Sequence, residues 1–176
     1  SPRQGSTPRP VARKDSLATT YRATIEAERA YCLRSLHAHI EIACQKVFDP
    51  VVHYDVIDAF EKGDWYELIL MLPRGHFKST LIACYLTWRI AQNRNFTCLV
   101  VGSVHKTAKD SVNFVKTQLE GKRMQEIYGE FEGSSIWNTG ELVVLGRGDE
   151  DADRASTIMA MGMESFKPGG HYDVVW

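Results

Sequence analysis

The chain has 176 residues, 44% hydrophobic and 24% charged, with a net charge of −1 at neutral pH. This is enough for one domain with a real core and at most an appendage. The near-neutral balance gives no global electrostatic reason to bind nucleic acid, although a local basic patch would not show in the sum. No apolar run approaches the ~20 residues that span a bilayer, and the Arg/Pro-rich start lacks the apolar stretch of a secretory signal. Cys32, Cys44, Cys84 and Cys98 stand far apart with no C-x-x-C pair, which reads as reduced thiols packed as small hydrophobes in a cytosolic protein.

Residues 1–14 carry three prolines and four basic side chains (Arg3, Arg9, Arg13, Lys14) and almost nothing apolar. They form no core and read as a flexible basic arm, solvated in preference to bound to nucleic acid. From Asp15 or Ser16 the pattern becomes helical: Leu17, Tyr21 and Ile25, then Leu33, Leu36, Ile40, Cys44 and Val47, make a 3.6-period stripe through an N-terminal helical segment, 15–48. His37 and His39, two apart, point to different faces and make a poor metal pair. Asp49-Pro50 is a helix start, an acidic N-cap followed by proline at the first helical position. Val52, Val56, Ala59 and Phe60 form its expected buried face, and Gly63 ends it.

Leu68-Ile-Leu-Met-Leu-Pro-Arg-Gly-His-Phe-Lys-Ser-Thr80 reads as a short buried strand (67–72), a tight turn on Arg74-Gly75, and Lys78-Ser79-Thr80 opening an apolar helix. That is the layout of a phosphate-binding loop: free backbone N–H groups and the helix dipole attract an anion, a lysine reaches the terminal phosphates, and the hydroxyl after it can hold Mg²⁺. Against the pattern G-x-x-x-x-G-K-[ST], Leu72 stands at the first glycine position and Phe77 at the second. An ordinary strand–turn–helix with a surface lysine is the competing reading.

Leu81, Ile82, Tyr85, Leu86, Trp88 and Ile90 then make a helix apolar on most of its circumference, closed by Asn93-Arg94-Asn95. Phe96–Val101 reads as a central parallel strand, Gly102-Ser103 as a turn, and Val104–Glu120 as a helix stopped by Gly121. A βαβα run with short loops would thus extend from Glu67 to Glu120, and open sheets of this kind bind ligands at the carboxyl ends of their strands. Arg123–Tyr128 predicts a short helix and 129–140 a polar turn containing Trp137. Glu141–Leu145 and Thr157–Ala160 predict two strands around an acidic tip, 148–153. The Asp149, Asp151, Asp153 spacing fails as a calcium loop, because Arg154 takes the glycine position and Ala160 the glutamate position. A glycine-rich turn from Lys167 enters a last apolar strand ending at Trp176.

Pro73-Arg-Gly-His-Phe-Lys-Ser-Thr80, Val100-Val-Gly-Ser103 and Gly169-Gly-His-Tyr-Asp-Val-Val175 together resemble the large terminase subunit of tailed bacteriophages, the motor that pumps DNA into an empty procapsid. The resemblance covers roughly Asp49 to Trp176. Its most specific feature is an arginine four residues before the loop lysine, the place of Arg74, which in that family accompanies a loose glycine pattern.

The resemblance implies an α/β P-loop NTPase fold of the RecA/ASCE-like type. This is a three-layer α/β/α domain over 49–176 with a mainly parallel central sheet, preceded by N-terminal helices. It implies ATP and Mg²⁺ as cofactors. Backbone N–H groups of Gly75, His76, Phe77, Lys78 and Ser79 would cradle phosphates, Lys78 would contact the β- and γ-phosphates, and Ser79 would ligate Mg²⁺ with Thr80 beside it. Arg74 would stabilise charge on the γ-phosphoryl or sense its loss; an ion pair stabilising the turn is the plainer role. His53 or Phe48 could serve an adenine pocket, with packing as the alternative.

In the family, the strand entered at His171 ends in an acid for Mg²⁺ and an acid that activates water. Neither precedes Trp176, and Asp173 opens that strand instead of closing it. The expectation is therefore an incomplete ATPase domain that binds nucleotide weakly and hydrolyses it negligibly by itself. Implied partners are double-stranded DNA, a portal protein and a small terminase subunit, with a homo-oligomeric ring as the working motor in the cytoplasm of the infected bacterial host, absent from the mature virion. The rivals are another P-loop translocase of helicase type, a small-molecule phosphotransferase lacking an evident acceptor pocket, and a non-enzymatic DNA-binding or assembly module.

Overall fold

The computed structural model describes residues 12–148, 156–165 and 171–176. The expected acidic tip, most of the basic arm and part of the glycine-rich turn lie outside the described residues.

The N-terminal segment is helical as its periodicity predicts, but it breaks into pieces: α1 (Ala12–Arg34), a single turn α2 (Leu36–Ala38) and a π-helical turn at His39–Ala43. Among the described side chains, full burial begins at Cys32. Tyr21 and Val47, both in the predicted buried stripe, are exposed. From there Cys32, Leu36, Ile40 and Cys44 join one hydrophobic cluster with the rest of the described residues, so this segment shares the main core.

His39 is fully buried at the centre of this junction. Its Nε2 is 3.0 Å from Thr87 Oγ1 and its Nδ1 2.8 Å from the Tyr128 hydroxyl. Thr87 already donates to the Cys84 carbonyl at 2.9 Å. The hydroxyl must therefore accept from Nε2–H, leaving Nδ1 to accept from Tyr128. Burial, and then the neighbouring Cys32, hold the Tyr128 phenol well above its usual range. His37 turns the other way and pairs with Asp58 at 2.7 Å, which bears out the expected divergence of the two histidines.

α3 (Pro50–Lys62) has the predicted ends. The Asp49 carboxylate accepts from the N–H groups of Val51 and Val52 at 2.8 and 3.2 Å, and Gly63 takes the left-handed conformation with φ 61°. Such a cap stabilises by about 1 kcal/mol. The buried face is rotated from the expected one: His53, Ile57 and Phe60 are buried, and Val52, Val56 and Ala59 only flank it. Glu61 accepts from Leu36 N–H at 2.7 Å and from the Ser35 hydroxyl at 3.2 Å, tying α3 to the start of α2.

α4 (Lys78–Gln92) buries eight residues, among them Leu81, Tyr85, Leu86, Trp88 and Ile90. β1 (Cys98–Gly102) follows, then α5 (His105–Leu119) and α6 (Lys122–Tyr128). α5 seats Ala108, Val112, Val115 and Leu119 against β1. Gly102 makes that close approach, because a Cβ there would lie 2.7 Å from the Ala108 nitrogen. β2 (Glu132–Trp137), β3 (Glu141–Val144), β4 (Ile158–Gly162) and β5 (Val174–Val175) complete a sheet of order β2-β3-β4-β1-β5. β4 and β5 pair parallel with β1, while β3 is antiparallel to β4 and β2 to β3. The architecture is thus α/β with an open sheet that is mixed, parallel on one side and antiparallel on the other.

Two expectations are corrected. The polar stretch read as a turn contains the edge strand β2, whose Gly133 passes so close to β3 that a Cβ would meet the Val143 carbonyl oxygen. The apolar run 67–72 forms no strand. Among the described residues no backbone hydrogen bond joins Tyr66–Leu72 to another segment. Leu70 packs on the core, whereas Ile69 and Met71 are 74% and 85% exposed. A cavity of about 650 Å³, lined by Leu68, Leu70, Tyr85, Val175 and Trp176 among others, separates this run from β5. That gap is why the sheet ladder does not extend to it, and the predicted βαβα run begins in fact at α4.

Candidate nucleotide-binding site

The turn between the apolar run 67–72 and α4 is built by two left-handed residues. Gly75 has φ 83° and Phe77 φ 52°. Phe77 occupies the second glycine position of the sequence pattern, so the backbone conformation that favours glycine is retained without the glycine. The ring of Phe77 is 63% exposed, with its edge toward Phe48 at a centroid distance of 6.4 Å. His76 N–H closes the turn on the Pro73 carbonyl at 3.4 Å.

α4 starts at Lys78 with Phe77 as an N-cap that makes no side-chain bond. Leu81 N–H bonds the Phe77 carbonyl at 2.9 Å, and no partner among the described residues meets the N–H groups of Lys78, Ser79 or Thr80. Three donors therefore emerge together at a helix N-terminus, with the helix dipole behind them. The Lys78 ammonium folds back over the turn, donating to the Leu72 carbonyl and, at 3.5 Å, to the Pro73 carbonyl. An anion at the helix end would compete with these two carbonyls for the ammonium.

Of the predicted site residues, Gly75, His76, Phe77, Lys78, Ser79 and Thr80 share this turn and first helical turn. Arg74 is exposed and has no ion-pair or hydrogen-bond partner among the described residues. Among the described residues, then, no ion pair of Arg74 stabilises the turn. Ser79 is exposed and its hydroxyl also has no partner among the described residues. Among the described residues no group of three His, Cys, Asp or Glu side chains could hold a metal ion.

Three further positions weighed in the sequence have structural employment. Asp173 Oδ2 accepts from Thr97 N–H at 2.8 Å and from the Thr97 hydroxyl at 3.1 Å, stapling β5 to β1. His53 and Phe48 pack together behind the loop, ring centroids 5.0 Å apart. His53 Nε2 lies 3.0 Å from the His76 carbonyl, so α3 touches the loop backbone directly. Sequence reasoning missed this bond, which joins residues 23 apart; the only hint was that His53 falls on the same helical face as Ile57 and Phe60.

The thiols are packed as expected. All four cysteines are free and buried. Burial pushes the Cys32 and Cys98 thiols above their usual range, and for Cys44 the hydrogen bond with Cys84 acts first and burial second. No helix is long and apolar enough to cross a membrane among the described residues. Compared with protein-family models, curated proteins and solved structures, the chain matches none.

Proposed function

We propose that the turn Pro73–Thr80 binds the polyphosphate of ATP and that the chain is the phosphate-binding part of a motor ATPase that translocates double-stranded DNA during viral genome packaging. The observation that supports the phosphate reading is the set of three N–H groups at the start of a buried helix, without partners among the described residues, with the Lys78 side chain folded over the same turn. That arrangement offers an anion four donors from rigid backbone and one side chain. The motor reading adds the resemblance to the large terminase subunit, including Arg74 at its defined offset from Lys78.

Within this reading each residue has a distinct task. Phe77 and Gly75 aim the N–H groups outward. Lys78 leaves the Leu72 and Pro73 carbonyls for the β- and γ-phosphate oxygens. Arg74, without a partner among the described residues, reaches the γ-phosphoryl; a well-placed arginine is worth roughly 10³–10⁵ in rate in related chemistry. The Ser79 hydroxyl fits one position on a Mg²⁺ ion that arrives with the phosphates and neutralises their charge. Catalysis of this kind is positioning and electrostatics. In the finer fold reading, the sheet belongs to the P-loop class, with ring assembly, portal protein and small subunit as partners in the bacterial cytoplasm.

The test is equilibrium binding of a fluorescent ATP analogue to the chain and to Lys78→Ala. Losing a charge-assisted bond worth about 1.5–3 kcal/mol should weaken binding by about tenfold or more. Equal affinity in the two proteins, with the fold intact, would exclude this turn as the phosphate site and favour a non-enzymatic module.

A further inference from the structure

His53 is 97% buried by its 3% exposure, and each of its ring nitrogens faces a carbonyl oxygen. Nδ1 is 3.1 Å from the Asp49 carbonyl and Nε2 3.0 Å from the His76 carbonyl. A carbonyl oxygen has no proton to give. A neutral imidazole has one N–H, so it can satisfy only one of these acceptors and must turn a lone pair toward the other. Only the imidazolium donates to both. We propose that His53 is a proton-dependent positioning residue for the phosphate loop: protonated, it clamps the His76 carbonyl to the N-terminus of α3 and holds the loop donors in place.

The clamp acts next to the strained point of the turn. His76 immediately precedes Phe77, whose left-handed φ sets the direction of the N–H groups that follow. Phe48 packs at a tilt of 52° against His53 and meets Phe77 edge-on, so the same cluster braces the loop from behind. The imidazolium also puts a positive charge on the far side of the loop from an incoming polyphosphate, which adds to its field.

α3 carries Tyr54, Asp55, Asp58, Glu61 and Lys62 besides His53; Asp58 pairs with His37 and Glu61 accepts from Ser35 and Leu36. At its N-cap the Asp49 carboxylate is engaged by two backbone N–H groups. On the loop stand Arg74, Lys78 and His76; the last has its Nδ1 3.2 Å from the Arg74 carbonyl. Lys46 lies two residues before Phe48. His76 is the other imidazole in this cluster, and its effect has to be separated from that of His53.

The proposal rests on the phosphate-loop reading only for its consequence, not for the clamp itself. The experiment is an NMR pH titration of the intact chain carrying ¹⁵N-labelled histidine and backbone amides. Amide signals of Gly75, Phe77 and Lys78 should move with the midpoint of the His53 ring in the wild type and in His76→Gln, and should lose that transition in His53→Gln. Loop amides that ignore His53, or follow His76 alone, would overturn the clamp. The wild-type titration decides the matter even if a variant fails to fold.

In parallel, binding of inorganic tripolyphosphate should weaken as His53 loses its proton, by about tenfold for one charge-assisted bond. Comparison with His53→Gln removes the titration of the phosphate itself. A loop that follows His53 without binding tripolyphosphate would uphold the clamp and overturn the phosphate reading. Tripolyphosphate binding with a pH profile identical in wild type and His53→Gln would overturn the clamp and leave the phosphate reading standing.

Discussion

Phe77 carries a backbone conformation that side chains rarely adopt, and a pair of substitutions isolates its cost. At φ 52° a residue with a Cβ sits in the left-handed region, roughly 1–2 kcal/mol above the right-handed one. Phe77→Ala and Phe77→Gly remove the same ring and its edge contact with Phe48. They differ only in the Cβ. Glycine gives back some of its advantage through the greater freedom of the unfolded chain, about 0.5–1 kcal/mol. The balance makes Phe77→Gly more stable than Phe77→Ala by about 1 kcal/mol, or about 2–4 °C in Tm for a chain of this size. The two proteins should be compared by urea unfolding monitored by circular dichroism. In an ordinary helical position the sign reverses, with alanine ahead by about 1 kcal/mol. A Phe77→Ala protein more stable than Phe77→Gly would thus refute the left-handed turn and the loop geometry built on it.

His39→Ala should destabilise the fold by about 3–5 kcal/mol in urea unfolding, because it empties a fully buried site and strands the Tyr128 hydroxyl. A loss under about 1 kcal/mol would show that the His39–Thr87–Tyr128 network is not what joins the N-terminal helices to the core. Glu120 supplies a pH dependence. The Lys116 bond first and the Trp137 indole second hold its carboxyl below the usual carboxylate range. A depressed carboxyl stabilises above its unfolded pKa and loses that contribution as pH falls through the folded one. Wild type should therefore exceed Glu120→Gln in stability near neutral pH, by less than about 1 kcal/mol for so exposed a pair, and the two pH profiles should begin to converge as pH falls below about 4.5. Parallel curves down to pH 3 would remove Glu120 from the pH dependence.

Features whose cause lies within a few residues were legible in the sequence. Asp49-Pro50 and Gly63 bound α3 because capping is local chemistry, and the unbroken apolar run at β1 announced a strand covered on both faces. Pairing partners were not legible. Glu67–Leu72 has a central-strand composition, yet strand formation needs a neighbour at hydrogen-bonding distance, and a cavity stands there instead. β2 escaped for the opposite reason. Its glycine and polar residues carry no alternating pattern, and it exists through pairing with β3 at an edge. The place of Lys78 and Ser79 at the start of α4 could be read from spacing alone, whereas the His53–His76 bond depended on how α3 packs and had no sequence signal.

The central claim is that a polyphosphate sits on the first turn of α4. Its most direct test is a titration of the ¹⁵N-labelled chain with ATP, following every amide. The account predicts saturable shifts concentrated at Gly75, Phe77, Lys78, Ser79 and Thr80, with the Lys78 side chain released from the Leu72 and Pro73 carbonyls. Shifts confined to the cavity between Tyr66 and Trp176, or no saturable shift at the loop, would contradict it.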